Sequence, residues 1–457
     1  MTQTRPDPIN GAFAITTLGC KVNQYESDAI ARRLIDAGWT AADRDGHLDL
    51  HIINTCAVTG RAAMQGRGAV RRAIRSHPDA RILVTGCYAQ IDPTAFQKIS
   101  GVHDIIGHPG KHRIAEILAM PGSGPLPRMV VGDVGRERAF PDYGVTAHGG
   151  RGRPVLKVQD GCDAFCTYCI VPHARGRSRS MPPATVIDHL RCLAGRGFRE
   201  AVLSGIHLGA YGQDFSPEVN LSALLESVAA AHPIDRVRLS SIEPLELTDA
   251  LIRQVADSEI FCPHFHVPLQ SGDNGILARM HRPYTVEDFR DRIRCIHESL
   301  PGPGSVAIGV DVLVGFPGES EAAFANTRRW IEALPVSYLH VFPFSPRPGT
   351  PAARYGDRVP DPEIHRRCRV LRSLGEAKRV RFYRDQVGSE TTVLLLQRNG
   401  RDCFTGIGEN YVPVTLPGWA GEPGDLVRVR VMAAGDEGVT GVPLGAAAPR
   451  RSKQSSA

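Results

Sequence analysis

The sequence predicts an α/β chain of three parts: an N-terminal parallel-sheet domain, a central open barrel of six β/α units and a small C-terminal all-β barrel. Three observations carry that reading. Strand-length apolar runs alternate with helically periodic segments in two separate series, one within residues 12–85 and one from residue 155 to about 344, and such alternation implies parallel strands with crossover helices. Beyond about residue 386 the pattern changes to short strands and glycine turns, as in TTVLLLQ and DLVRVRVM, which is the pattern of a small β-barrel. A length of 457 residues also exceeds what one hydrophobic core organises, so two or three domains are expected.

In the first series, residues 12–18, 48–53 and 81–85 read as buried strands and 27–37 as a helix, giving an N-terminal domain over 1–125. Residues 121–153, with PGSGPLP and HGGRGRP at their ends, read as a connector. The second series spans 148–385. Its strand candidates lie near 155–159, 200–205, 236–241, 264–269, 306–314 and 338–344, and chemistry is expected at their carboxyl ends. A helical stretch rich in Arg and Lys, 362–386, precedes the all-β module at 386–445. The tail 446–457 reads as disordered.

Composition excludes several classes. The chain is 42% hydrophobic and 22% charged, as folded proteins are. No apolar run approaches the about 18 residues of a membrane helix, and MTQTRPDPIN lacks a signal peptide's apolar stretch, so a cytosolic location is expected. In a reducing compartment the 11 cysteines point to metal binding or catalysis rather than disulfides. A formal charge of +6 is compatible with a nucleic-acid partner without requiring one.

Two cysteine patterns stand out. Cys162, Cys166 and Cys169 in DGCDAFCTYC form a CxxxCxxC group directly after a predicted strand. Three thiolates on one short loop can hold three irons of a 4Fe-4S cluster and leave the fourth open to a ligand; the alternative is a structural zinc completed by His173. Cys20, Cys56 and Cys87 are far apart in sequence, yet each ends a predicted strand: AITTLGC, HIINTC, ILVTGC. Parallel neighbouring strands would bring those ends within about 5–10 Å, and Gly19 and Gly86 leave room for a bulky group. Cys192, Cys262, Cys295, Cys368 and Cys403 show no such pattern and read as structural thiols.

With these motifs in place the sequence resembles the methylthiotransferase family of radical-SAM enzymes over almost its whole length. The matching segments are TLGCKVNQYES, NTCAVT, TGCYAQ, QDGCDAFCTYCIVPHARGRSRS, LSGIHLGAYG, LSSIEP, HVPLQSG and GVDVLVGFPGE. The resemblance implies two 4Fe-4S clusters, S-adenosyl-L-methionine (SAM) as cofactor, a radical-SAM barrel and a C-terminal TRAM module. The Cys162/Cys166/Cys169 cluster would reduce SAM for hydrogen abstraction, and the Cys20/Cys56/Cys87 cluster would carry sulfur for transfer. By the same analogy Gly205, Ser241, Glu243 and Gln270 are SAM contacts, the alternative being residues that close a barrel layer.

Three substrate classes follow from the family: threonylcarbamoyladenosine in tRNA, isopentenyladenosine in tRNA and an aspartate of a ribosomal protein. TLGCKVNQYES is similar to the first group, so C2 of N6-threonylcarbamoyladenosine at position 37 is the expected target. The implied partners are a tRNA anticodon loop, an electron donor and a sulfur source, with neither DNA nor membrane. A zinc-stabilised RNA-binding protein is the reading from outside enzymes.

The TRAM resemblance implies RNA contact, but residues 387–441 hold four Arg and no Lys against seven acidic residues. Better candidates for phosphate contacts are Arg366, Arg367, Arg369, Arg372, Lys378, Arg379, Arg381 and Arg384, whose alternative is a solvated helix face, together with Arg175, Arg177 and Arg179, whose alternative is to position the cluster loop. Binding through them would weaken with salt.

Overall fold

The computed structural model describes residues 11–42, 47–120, 127–145, 152–400, 403–419 and 421–445. The tail 446–457 and both ends of the predicted connector, 121–126 and 146–151, lie outside them. The chain forms two compact units. The first takes described residues up to 145 with Gly161–Ala164 and Cys169–Arg177; the second takes described residues of Gly150–Asp160, Phe165–Tyr168 and 178–445.

In the first unit, β1 (Ala12–Thr17), β2 (Thr40–Ala41), β3 (Leu50–Thr55), β4 (Arg81–Gly86), β5 (Asp104–Ile106) and β6 (Arg128–Val130) form one parallel sheet in the order β2-β1-β3-β4-β5-β6. Successive residues serve opposite faces: Ile53 and Val84 pack with Val70 of helix Gly60–Ser76, whereas Ile52 and Leu83 pack with Ile30 and Leu34 of helix Lys21–Asp36. A sheet covered on both sides needs near-continuous apolar strands, which is why they were legible.

Two expectations need correction here. Residues 128–130 are no connector: β6 pairs with β5, and Arg128 shares the buried Asp104 carboxylate with Arg81, at 2.8 and 2.7 Å. Three residues are too few to show a period. The first helix also starts at Lys21, ahead of the expected residue 27, because its first turns bury the polar Asn23 and Glu26, which no apolar stripe announces.

The second unit contains two parallel three-stranded sheets. One, in the order β11-β10-β7, comprises β7 (Val155–Lys157), β10 (Glu200–Ser204) and β11 (Arg236–Leu239). The other, in the order β12-β13-β14, comprises β12 (His264–Gln270), β13 (Ala307–Val314) and β14 (Tyr338–Pro343). A parallel bridge, Val237 to Phe261, joins the halves, so the six strands form the expected open barrel. A separate two-stranded antiparallel sheet pairs β8 (Gln159–Asp160) with β9 (Arg179–Ser180). After helix Asp361–Arg384, β15 (Glu390–Arg398), β16 (Cys403–Gly408), β17 (Pro413–Pro417), β18 (Leu426–Ala434) and β19 (Val439–Pro443) close into a barrel around Val393, Phe404, Leu416 and Val429.

A buried charge cluster ties the small barrel to the large one. Glu200, fully buried at the start of β10, accepts from Arg236 at 2.6 Å and Arg238 at 3.1 Å. These guanidinium groups also donate to the carbonyls of Thr392 and Glu409, each at 2.8 Å. Burial alone would raise the Glu200 carboxyl, but Arg236, Arg238 and Arg153 hold it down to about 2. A depressed carboxyl contributes stability that is complete above its ordinary value of 4.5 and is lost as pH falls through about 2. Chemical denaturation is therefore expected to show a loss on the order of 2 kcal/mol between pH 6 and 3 from this group. A Glu200→Gln chain, weaker at every pH, should lack that component; an unchanged slope would remove Glu200 from the account.

Candidate active site

β1, β3 and β4 are neighbours, and their carboxyl ends deliver Cys20, Cys56 and Cys87. Cys20 caps helix Lys21–Asp36, Cys56 follows β3, and Cys87 opens helix Cys87–Ile91. Gly19 and Gly86 have φ of +99° and +97°, a region that disfavours side chains. A Cβ on Gly86 would stand 2.3 Å from the Thr55 carbonyl, and one on Gly19 would stand 2.9 Å from Cys56 Sγ. Both glycines are thus required for the approach of the three loops. Cys56 and Cys87 are buried and Cys20 is exposed.

Burial pushes the Cys56 thiol up to about 12, and the neighbouring Cys87 and Cys20 add to that rise. Burial raises Cys87 as well, with Arg175 and Lys111 opposing it. Such thiols ionise only when a cation replaces the proton. Beside them lies a buried network that sequence reasoning did not assemble. Glu26 accepts from Lys111 Nζ at 2.5 Å and from Arg175 Nη1 at 2.8 Å, while Asn54 and Asn23 accept from the same two cations at 3.0 and 2.8 Å. With both basic groups charged, the network carries one positive charge in excess of its carboxylate. Three converging thiols with a net cation behind them fit an anionic three-thiolate cluster. Of the two roles expected for Arg175, phosphate contact or positioning of the cluster loop, its 1% exposure rules out the first.

Cys162, Cys166 and Cys169 fall on the loop between β8 and helix Val171–Arg175. Gly161, at φ +75°, lets this loop turn where a Cβ would lie 1.9 Å from the Arg177 carbonyl. Cys162 Sγ accepts from the Ala164 amide at 3.5 Å. Cys166 Sγ lies 3.3 Å from Arg282 Nη1, and Arg282 is itself held by Glu243 and by the Tyr284 hydroxyl at 3.0 Å. A guanidinium beside sulfur favours the thiolate. Nothing in the sequence reading had singled out Arg282; its only signal was proximity to the HVPLQSG segment.

The expected SAM contacts lie at or just beyond the carboxyl ends of β10, β11 and β12. A Cβ on Gly205 would meet Gln159 Oε1 at 2.9 Å. Ser241 Oγ is hydrogen-bonded to His266 Nδ1 at 2.8 Å. Burial raises the Glu243 carboxyl while Arg282 counters it, and Gln270 sits at φ +62° on a bulge. Several expected phosphate contacts are internal ties instead. Arg367 is buried against Glu319 at 3.0 Å, Arg366 pairs with Glu321 and Glu363, Lys378 donates to the Leu334 carbonyl at 2.8 Å, and Arg179 is buried. Arg177, Arg369, Arg372, Arg381 and Arg384 are exposed.

Comparison with known proteins agrees with this geometry. The model described as "Uncharacterized protein family UPF0004" matches residues 12–107, and that of the radical SAM superfamily matches residues 156–331. The threonylcarbamoyladenosine tRNA methylthiotransferase MtaB of Bacillus subtilis is 37% identical, covering 92% of this chain and 94% of its own. The chain belongs to the methylthiotransferase family of radical-SAM enzymes. The MtaB of Aquifex aeolicus is 36% identical over 92% of this chain and 99% of its own. A tRNA-2-methylthio-N(6)-dimethylallyladenosine synthase of Sphingopyxis alaskensis is 33% identical over 94% and 97%. Among solved structures, the radical S-adenosylmethionine methyltransferase TsrM from Kitasatospora setae, with cobalamin and a [4Fe-4S] cluster bound, superimposes with a TM-score of 0.56 at 16% identity, over 75% of this chain and 77% of its own; that likeness concerns the fold. As a methylthiotransferase the chain is an enzyme that works with 4Fe-4S clusters and SAM. No helix among the described residues is long and apolar enough to cross a membrane.

Proposed function

We propose that the chain adds a methylthio group to C2 of N6-threonylcarbamoyladenosine at position 37 of tRNA. Cys20, Cys56 and Cys87 hold one 4Fe-4S cluster, and Cys162, Cys166 and Cys169 hold the other. The convergence of Cys20, Cys56 and Cys87 supports methylthio transfer, because a radical-SAM loop alone would need no second triplet, and the MtaB relatives support the choice of nucleoside. When bound, the clusters and SAM supply one-electron cleavage of SAM for hydrogen abstraction and a transferable sulfur.

The chain's own groups do the rest. Arg282 holds Cys166 Sγ and Glu243 in fixed relation, and Gly205, Ser241, Glu243 and Gln270 orient SAM at the strand ends. The buried Lys111 and Arg175 offset the thiolate charge of the first triplet. Exposed Arg177, Arg369, Arg381 and Arg384 supply phosphate contacts, and an anticodon-loop base is splayed into the site at a cost of a few kcal/mol. An electron donor and a sulfur source come from outside the chain, in the cytosol.

The test is mass spectrometry of nucleosides after anaerobic incubation of reconstituted enzyme with SAM, reductant, sulfide and tRNA carrying either modified adenosine. A methylthio adduct on threonylcarbamoyladenosine is expected. An adduct only on isopentenyladenosine would overturn the substrate, and none on either, with clusters intact, would direct the search to a ribosomal protein.

A further inference from the structure

The two nucleosides named by the relatives differ in what hangs on N6. A threonylcarbamoyl group carries a carboxylate, a hydroxyl and ureido N–H groups, whereas a dimethylallyl group is pure hydrocarbon. A site that takes the first must present hydrogen-bonding groups that the second would leave unpaired.

Such a set occurs on β12, β13 and β14. Asp311 and His340 are register partners on β13 and β14. His266 Nε2 lies 2.8 Å from Asp311 Oδ1, and the His266 and His340 rings are 5.3 Å apart. Ligand atoms of His266, Asp311 and His340 all lie within 4.8 Å of one another. One row along the same face, His264 is hydrogen-bonded to Tyr338 Oη at 2.8 Å. The strand neighbours Phe265, Val267, Val310 and Val341 are buried, as alternation requires if His266 and Asp311 face the lumen of the open barrel. His266 has both ring nitrogens engaged, by Ser241 and Asp311, which makes the group a hydrogen-bond relay rather than a cage for an ion.

His340 is exposed and, with Tyr338, Arg372, Arg379, Tyr383 and Tyr411, lines a cavity of about 410 Å³. That volume is within the range of small-molecule sites, roughly 300–1,000 Å³. Aromatic walls suit a base or an aliphatic stem, and two guanidinium groups suit a carboxylate.

We propose that His266, Asp311 and His340 form the subsite that reads the N6 substituent, and that it takes an amino-acid carbamoyl group. His340, the member of the trio that lines the cavity, donates to an oxygen of the group, Asp311, its register partner, accepts from a ureido N–H or the hydroxyl, and Arg372, which lines the same cavity as His340, takes the carboxylate. His266 is a positioning residue, held by Ser241 and holding Asp311. A dimethylallyl group placed here would strip these atoms of water without replacing a hydrogen bond, and sites built to hydrogen-bond a ligand reject such analogues by about 10⁴-fold or more. The inference rests on the substrate reading above and adds the residues that make the distinction.

The experiment measures dissociation constants of the reconstituted enzyme, by fluorescence anisotropy, for anticodon stem-loop RNAs carrying threonylcarbamoyladenosine, dimethylallyladenosine or plain adenosine. Methylthio product is quantified in parallel. The wild type should prefer the threonylcarbamoyl RNA over the plain one. His340→Leu and Asp311→Asn should each cut that preference about tenfold or more, the worth of one hydrogen bond to a charged partner. His340→Gln, which keeps a donor, should restore most of it. If the wild type methylthiolates threonylcarbamoyladenosine and the variants keep its full preference, the subsite is wrong and the function stands. If the wild type acts only on dimethylallyladenosine, both fall.

Discussion

A Cys166→Ala enzyme is expected to form no 5′-deoxyadenosine above background, whereas Cys56→Ala should still form it and yield no methylthio product. The two thiols sit in different surroundings. Cys166 is one of three cysteines on a single short loop, with Arg282 Nη1 at 3.3 Å from its sulfur and the strand-end residues assigned to SAM following in the same unit. Cys56 is buried at the end of β3, with Gly19 against its sulfur and Cys87 raising its proton affinity. Loss of one thiolate from three leaves a cluster with too few anchors, so each variant should also lose about half of the roughly eight irons that two such clusters bring. Iron analysis together with deoxyadenosine and nucleoside quantification reads all three effects. Normal deoxyadenosine formation by Cys166→Ala would remove the loop from SAM cleavage, and equal loss of both products in both variants would end the division of labour.

What was legible follows from what is local or periodic. The strand runs ending in Cys20, Cys56 and Cys87 are apolar because both faces of the first sheet are covered, so their shared termini could be read from one dimension. The CxxxCxxC loop is local by definition. The opposite holds for Glu26, Lys111 and Arg175: they meet across 85 and 149 positions of sequence, and charged residues read as solvated until a structure places them at 0–1% exposure. Arg367 misled for the same reason. It lies in a run of basic residues, yet it is turned inward onto Glu319 and Glu363, and composition does not say which side of a helix a charge occupies. The HVPLQSG and GVDVLVGFPGE segments were recognised as wholes, but the pairing of His266 with Asp311 depends on strand register, which neither segment reveals alone.

Replacing Glu26 with glutamine should be among the most destabilising single changes in the first unit. Its carboxylate is fully buried and is the shared partner of Lys111 and Arg175. Burial pulls Lys111 below its ordinary range, and Glu26 is the largest influence holding the proton on, while Arg175 works against it. The amide keeps the shape and removes the charge, so two buried cations are left facing each other. Breaking a buried pair in this way costs about 3–5 kcal/mol. Chemical denaturation of the cluster-free protein measures it without any contribution from iron. Because the penalty comes from uncompensated charge and not from a cavity, adding Arg175→Met to Glu26→Gln should recover part of the loss, even though Arg175→Met alone also removes bonds to Asn23 and Glu26. Contacting residues of this kind couple by about 0.5–3 kcal/mol. Strictly additive losses in the double variant would show that the three groups do not act as one charged unit.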